Sequence, residues 1–257
     1  MTLAWINGYM MNFIDRGKGI PILFIHPPVL TSLTFLYQIQ GLSPDFRTIA
    51  FDIRGHGKSQ PSQQIVTYPL IVEDIKQLID QLSIEKVFLC GYSAGGSVVL
   101  EFLLSHPDRA LGGIVIGGMS EVNEWRLRNK ISLGVVFSKI GAIGTIALST
   151  AWTQAENITL FRELFHDAKR GNASNAEQYY KYSLKYNCTS KLREIELPVL
   201  LIYGEKDKHF HRYATLLHQQ LPMSELVYIH EVDHRIPTKA PQPLNERIKQ
   251  FVSQFNT

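Results

Sequence analysis

Cysteine is scarce in this chain: two residues in 257, Cys90 and Cys188, far apart in sequence. That density excludes a disulfide-stapled secreted scaffold, and both are expected as free thiols in a reducing, cytoplasmic compartment. Charge of one sign is scarce as well. The 26 Lys and Arg against 23 Asp and Glu leave a net charge of +3, scattered without any basic block. Neither nucleic-acid binding nor a polybasic membrane role is expected from such a balance. Long apolar runs are missing too. The most lipid-like segment, Ser132 to Trp152, is interrupted by Lys139 and by several Gly and Ser, so stable membrane insertion is not expected. Met1–Asn7 has neither a basic n-region nor an apolar h-region, and no signal peptide is expected. No internal repeat or low-complexity tract is present.

What the chain does have is a 45% apolar fraction, enough for a sizeable core in one large domain or a domain with an insertion. Residues 5–16 read as a short hairpin or edge pair. Compact β-rich runs follow at Ile20–Ile25, Thr48–Asp52, Val87–Cys90, Gly113–Gly117, Pro198–Tyr203 and Glu225–His230. Between them lie stretches with helical spacing, such as Val72–Leu82, Gly96–Ser105 and a closing helix over Leu244–Phe255. Strands alternating with helices predict an α/β fold with a mostly parallel central sheet and helices on both faces. The alternation breaks at 121–195, which reads as several helices, including Thr159–Phe165 and Asn175–Tyr186. An insertion there would sit over the C-terminal strand ends, where open α/β sheets bind ligands. Residues 1–120 and 196–257 are therefore expected as the core and 121–195 as a helical cap.

Gly91-Tyr92-Ser93-Ala94-Gly95 falls between the apolar run ending at Cys90 and the helical stretch from Gly96. A G-x-S-x-G turn between strand and helix lifts its serine out of the sheet, and the glycines permit the sharp backbone path. The helix that follows aims its positive end at the reacting centre. Ser93 is the expected nucleophile.

These motifs resemble the α/β-hydrolase superfamily in its capped serine esterase-like branch, over nearly the whole chain and least in the cap. Asp52-Ile-Arg-Gly-His-Gly-Lys-Ser59 matches that family's D-x-R-G-H-G-x-S turn. The resemblance implies a triad in the chain order Ser, Asp/Glu, His. Ser93 matches the nucleophile, Asp207 in Tyr203-Gly-Glu-Lys-Asp207 the acid, and His234 in Asp233-His-Arg235 the base. Glu121 competes for the acid role, and chain order favours Asp207. In such a triad the imidazole takes the serine proton and the carboxylate fixes its tautomer. The N–H of Ala94 is one implied oxyanion donor. The second is a departure: Phe24-Ile-His26-Pro27-Pro28 stands where relatives carry His-Gly-X, and Pro28 at X has no N–H. A shift of the loop so that Val29 donates is one solution; a side chain, a water or a single-donor hole are others.

Other residues invite less. His56 and His26 are expected to brace loops. His209 and His211 form a lone H-x-H with no third ligand at suitable spacing, too little for a metal site. Cys90 in a buried strand is expected to be inert. The Ser132–Trp152 segment is expected to form a cap helix pair whose apolar face lines the substrate pocket, the competing reading being a lipase-type interfacial lid. The aromatics Trp125, Phe137, Trp152, Phe161, Phe165, Tyr179, Tyr180 and Tyr182 are expected mostly in the cap core. The resemblance implies a cofactor-independent hydrolase of a small apolar ester or related carbonyl substrate. C–C hydrolysis, perhydrolysis, acyl transfer and a slow-turnover ligand sensor use the same constellation. Nothing in the residues sets an oligomeric state.

Overall fold

Asn7 and Gly8 both take left-handed backbone, with φ of 44° and 78°, as a two-residue turn between right-twisted strands requires. They join β1 (Thr2–Ile6) to β2 (Tyr9–Arg16) as an antiparallel pair. The computed structural model describes residues 2–255. β3 (Pro21–Ile25), β4 (Arg47–Phe51), β5 (Val87–Tyr92), β6 (Ala110–Ile116), β7 (Val199–Gly204) and β8 (Ser224–Ile229) extend the sheet to eight strands in the order β1-β2-β4-β3-β5-β6-β7-β8. β2 joins β4 antiparallel, and all pairings beyond are parallel. The expected α/β architecture is present.

The two-residue period of a strand divides the core. Leu23, Ile25, Ile49, Leu89 and Val115 pack on one face against α2 (Tyr68–Gln81), α3 (Ala94–Ser105) and α8 (His211–Gln220). Ile22, Phe24, Ala50, Phe88 and Ile114 pack on the other against α1 (Leu36–Leu42) and α10 (Pro241–Ser253). A strand covered on both faces reads as a continuous apolar run, which is why β5 and β7 stood out in the sequence. α2 starts four residues ahead of the expected Val72. The Thr67 hydroxyl accepts from the Leu70 N–H at 3.2 Å and a proline occupies the first turn, a start signal the apolar spacing alone does not show.

Between β6 and β7 run four helices, here α4 (Trp125–Lys139), α5 (Ile143–Gln154), α6 (Ile158–Ala168) and α7 (Ala173–Lys185). A short helix α9 (Ile236–Lys239) precedes α10. Most but not all of the aromatics of the four-helix stretch are at least partly packed, in line with the expectation. Tyr179 is buried and Phe161, Phe165, Tyr180 and Tyr182 are half-buried, but Trp125, Phe137 and Trp152 are exposed. On α4 the buried side presents Ile131, Gly134 and Ser138, and on α5 Ala147, Ala151 and Gln154, so these three aromatics fall outside the buried faces.

Candidate active site

β5 ends at Tyr92 and α3 begins at Ala94, so the chain reverses through one residue. Ser93 absorbs the turn with φ 54° and ψ −119°, a sparsely populated conformation that costs about 1–3 kcal/mol and persists only where the surroundings fix it. Those surroundings are tight. A Cβ on Gly95 would stand 2.1 Å from the Ile25 carbonyl oxygen, and one on Gly91 2.1 Å from that of Gly95. Gly95 is therefore a steric requirement of the close approach between α3 and β3, and Gly91 of that between β5 and α3. The Ser93 N–H donates to the Ile116 oxygen at 2.8 Å, tying the turn to β6.

His234 follows β8, and its ring lies 4.1 Å from that of Phe210 and 5.3 Å from that of Tyr92, centroid to centroid. Its Nδ1 is 2.7 Å from Asp207 Oδ2 and its Nε2 is 3.1 Å from Ser93 Oγ. An ionised carboxylate only accepts, so Nδ1 carries the hydrogen and Nε2 is left to accept from the Ser93 hydroxyl. Asp207 sits in the turn after β7, where its own N–H donates to Gly204 and its carbonyl accepts from Phe210. Ser93, Asp207 and His234 are thus brought together from three strand ends. Glu121 is elsewhere: it bridges to Asn187, whose amide donates to it at 2.8 Å. A hydroxyl, imidazole and carboxylate in this line can deliver an alkoxide-like nucleophile and return a proton to a leaving group.

The D-x-R-G-H-G-x-S turn is a brace beside this site. The buried Asp52 carboxylate accepts from Asn12 Nδ2 (2.8 Å), Ser32 N–H (2.9 Å) and Lys58 N–H (3.0 Å). Arg54 grips Asp74 through two nitrogens, both side chains almost fully buried. His26 accepts from the Ile53 N–H at Nε2 (2.9 Å) and donates from Nδ1 to the Pro27 oxygen (2.9 Å). Its burial pushes its pKa down to about 4. The His56 ring, 5.3 Å away, is pushed down to about 3 by burial and then by His26. Both rings are loop-bracing groups, as expected. His26, through the Pro27 oxygen, and Asp52, through the Ser32 N–H, clamp the two ends of the loop from Pro27 to Thr31. Within it Val29, a β-branched residue, takes φ 70°, uncommon enough to mark an imposed conformation. Its side chain is buried beside Ala147, Ala168 and Ala176 of α5, α6 and α7.

Three ties across the site carry no motif and were not foreseen. Gln154, the last residue of α5, donates to the Tyr92 hydroxyl (3.1 Å) and accepts from Thr238 (2.9 Å). Arg235, next to His234, donates to the Thr153 oxygen (2.9 Å) while bound to Asp233. Lys239 donates to the Ala155 oxygen. The two basic groups face the carbonyl end of α5, where positive charge is favoured.

His209 faces Arg126 and His211 faces the Gly204 carbonyl, so the H-x-H pair does not converge. Cys90 and Cys188 are free and buried, and burial raises both thiols, Cys188 to about 11. Such thiols are poor nucleophiles. Among the described residues no helix is long and apolar enough to cross a membrane.

Comparison with known proteins agrees with this fold. Residues 20–137 match the model of the alpha/beta hydrolase fold family, and residues 150–244 that of the serine hydrolase (FSH1) family. An esterase from Exiguobacterium antarcticum superposes with a TM-score of 0.88 at 20% identity, covering 98% of this chain and 99% of that one. The chain belongs to the α/β-hydrolase superfamily. This α/β-hydrolase is 27% identical over 246 residues (87% of this chain, 86% of the other) to a Bacillus subtilis protein provisionally named 2-succinyl-6-hydroxy-2,4-cyclohexadiene-1-carboxylate synthase. It is 24% identical to a carboxylesterase of the same organism, across 90% of this chain and 79% of that one.

Proposed function

We propose that the protein is a serine hydrolase that cleaves a small, largely apolar ester or related carbonyl substrate through an acyl-enzyme. The observation that carries the reading is the unbroken line from Ser93 Oγ through the His234 ring to Asp207, at 3.1 Å and 2.7 Å. Ser93 attacks the carbonyl carbon as His234 Nε2 takes its proton. Asp207 holds the Nδ1–H tautomer and stabilises the imidazolium. His234 then protonates the leaving alcohol, and a water activated by the same nitrogen releases the acid. The N–H groups of Ala94 and Val29 hold the oxyanion, Val29 replacing the donor that Pro28 lacks. Its left-handed backbone, imposed by the clamped loop, is what supports giving it that role. Residues 1–120 and 196–257 act as the catalytic core and 121–195 as a helical cap over it. The free, buried thiols suit a reducing, cytoplasmic compartment.

The synthase name of the 27% relative points to a carboxylate-bearing substrate. Such a substrate calls for an unpaired cation beside Ser93, and Arg235, the basic neighbour of His234, is already bound to Asp233 and Thr153. A neutral ester fits that electrostatic arrangement better. Steady hydrolysis of p-nitrophenyl acetate and butyrate, abolished in Ser93→Ala with the fold intact, is the expected result. A single burst or no release would favour a slow-turnover sensor instead.

A further inference from the structure

α4 and α5 present apolar side chains to solvent on a scale the fold does not require. At 3.6 residues per turn, Trp125, Leu133, Val136 and Ile140 fall within roughly 80° of one another around α4, and the buried Ile131, Gly134 and Ser138 lie roughly opposite. The four are 64%, 57%, 53% and 69% exposed. On α5, Leu148 and Trp152 are one turn apart and likewise exposed, while Ala147, Ala151 and Gln154 point inward. This corrects the expectation that the apolar face of the pair lines the pocket: most of the large apolar residues face out, and Ile131, Ile143 and Ile146 are the ones packed inward. The charge of the same stretch is one-sided. Residues 125–155 contain Arg126, Arg128, Lys130 and Lys139, all exposed, and no Asp or Glu.

We propose that the outward face of α4 and α5 docks on an anionic lipid surface. Exposed tryptophans and aliphatic side chains flanked by Lys and Arg are the composition that partitions into a headgroup layer, the apolar groups entering the acyl boundary and the cations meeting anionic lipid. A second copy of this chain fits less well. A two-fold contact would set the four cations of one copy largely against those of the other, with acidic groups only at the edges of the stretch, Glu124 and Glu156. The four cations all lie on α4, beside the exposed apolar side chains of both helices. The proposal rests on exposure and charge and stands apart from the hydrolase reading, so it is tested by binding.

The test uses the full chain carrying Trp5→Phe, which leaves Trp125 and Trp152 as the tryptophans. It is titrated with unilamellar vesicles of phosphatidylglycerol or of phosphatidylcholine, reading tryptophan emission and co-sedimentation. Expected are a blue shift and pelleting with phosphatidylglycerol, at least ~10-fold weaker with phosphatidylcholine and weakened by salt. Leu148→Ser/Trp152→Ser and, separately, Arg126→Gln/Arg128→Gln should each weaken binding by ~10-fold while the thermal midpoint is kept. No pelleting, equal pelleting with both lipids, or variants that bind like the parent would overturn the proposal. A reversible dimer that Leu148→Ser/Trp152→Ser dissociates, without vesicle binding, would overturn it in favour of a second copy.

Discussion

Gln154 donates its amide to the Tyr92 hydroxyl across 3.1 Å, joining the last residue of α5 to the residue before Ser93. The same side chain accepts from Thr238, beyond His234 in the chain. One buried amide therefore spans the helical segment, the nucleophile turn and the histidine loop. Gln154→Leu removes both bonds and leaves two buried hydroxyls without that partner, an expected loss of about 2 kcal/mol. Because the Tyr92 ring abuts His234, kcat should fall by more than KM changes. Urea unfolding and ester kinetics on the one variant check both; unchanged values in both would detach Gln154 from the site.

The steric account of the turn gives a contrasting pair of glycine substitutions. Gly95→Ala places a Cβ 2.1 Å from a backbone oxygen of β3, and should cost about 3 kcal/mol or more, since backbone on both sides must move. Gly144→Ala, in the first turn of α5 with nothing within 4 Å of its Cβ, should gain about 0.5 kcal/mol from helix propensity. Thermal midpoints that move in opposite directions are the expected readout.

Most of the fold was legible because parallel strands buried on both faces leave continuous apolar runs, and Ser93 because G-x-S-x-G arrived with its strand and helix. Asp207 and His234 were legible only through chain order, as the contact that unites them spans β7, β8 and the turn at Ser93. The missing N–H of Pro28 could be read directly, but the left-handed conformation of Val29 could not, since it is imposed by Asp52, His26 and α5–α7. Gln154 and Arg235 escaped notice for a similar reason. Their partners lie 62 and 82 positions away, and a glutamine at a helix end carries no local signature. The outward face of α4 and α5 was misjudged because a helix with apolar residues on both sides does not reveal which side packs.

The buried histidines predict a pH dependence. His26 and His56 have folded pKa values of about 4 and about 3, below the ordinary value near ~6.5. Between those limits the unfolded chain binds protons that the folded chain refuses, so stability is complete above about pH 6.5 and falls as pH is lowered towards 4. Each ring contributes a slope of up to about 1.4 kcal/mol per pH unit in that window. The thermal midpoint should drop from pH 7 to pH 5, and His56→Gln should flatten the slope. An equally steep profile in the variant would mean that other groups govern the acid limb.

The account rests on Ser93 being activated by His234 and Asp207. Reaction with a fluorophosphonate probe, mapped by peptide mass spectrometry and timed in the parent, His234→Ala and Asp207→Asn, tests this most directly. A single adduct on Ser93 is expected, forming orders of magnitude more slowly in both variants because the proton acceptor is removed in one and held in the wrong tautomer in the other. An adduct on another residue, or labelling of Ser93 at the parental rate without His234, would contradict it.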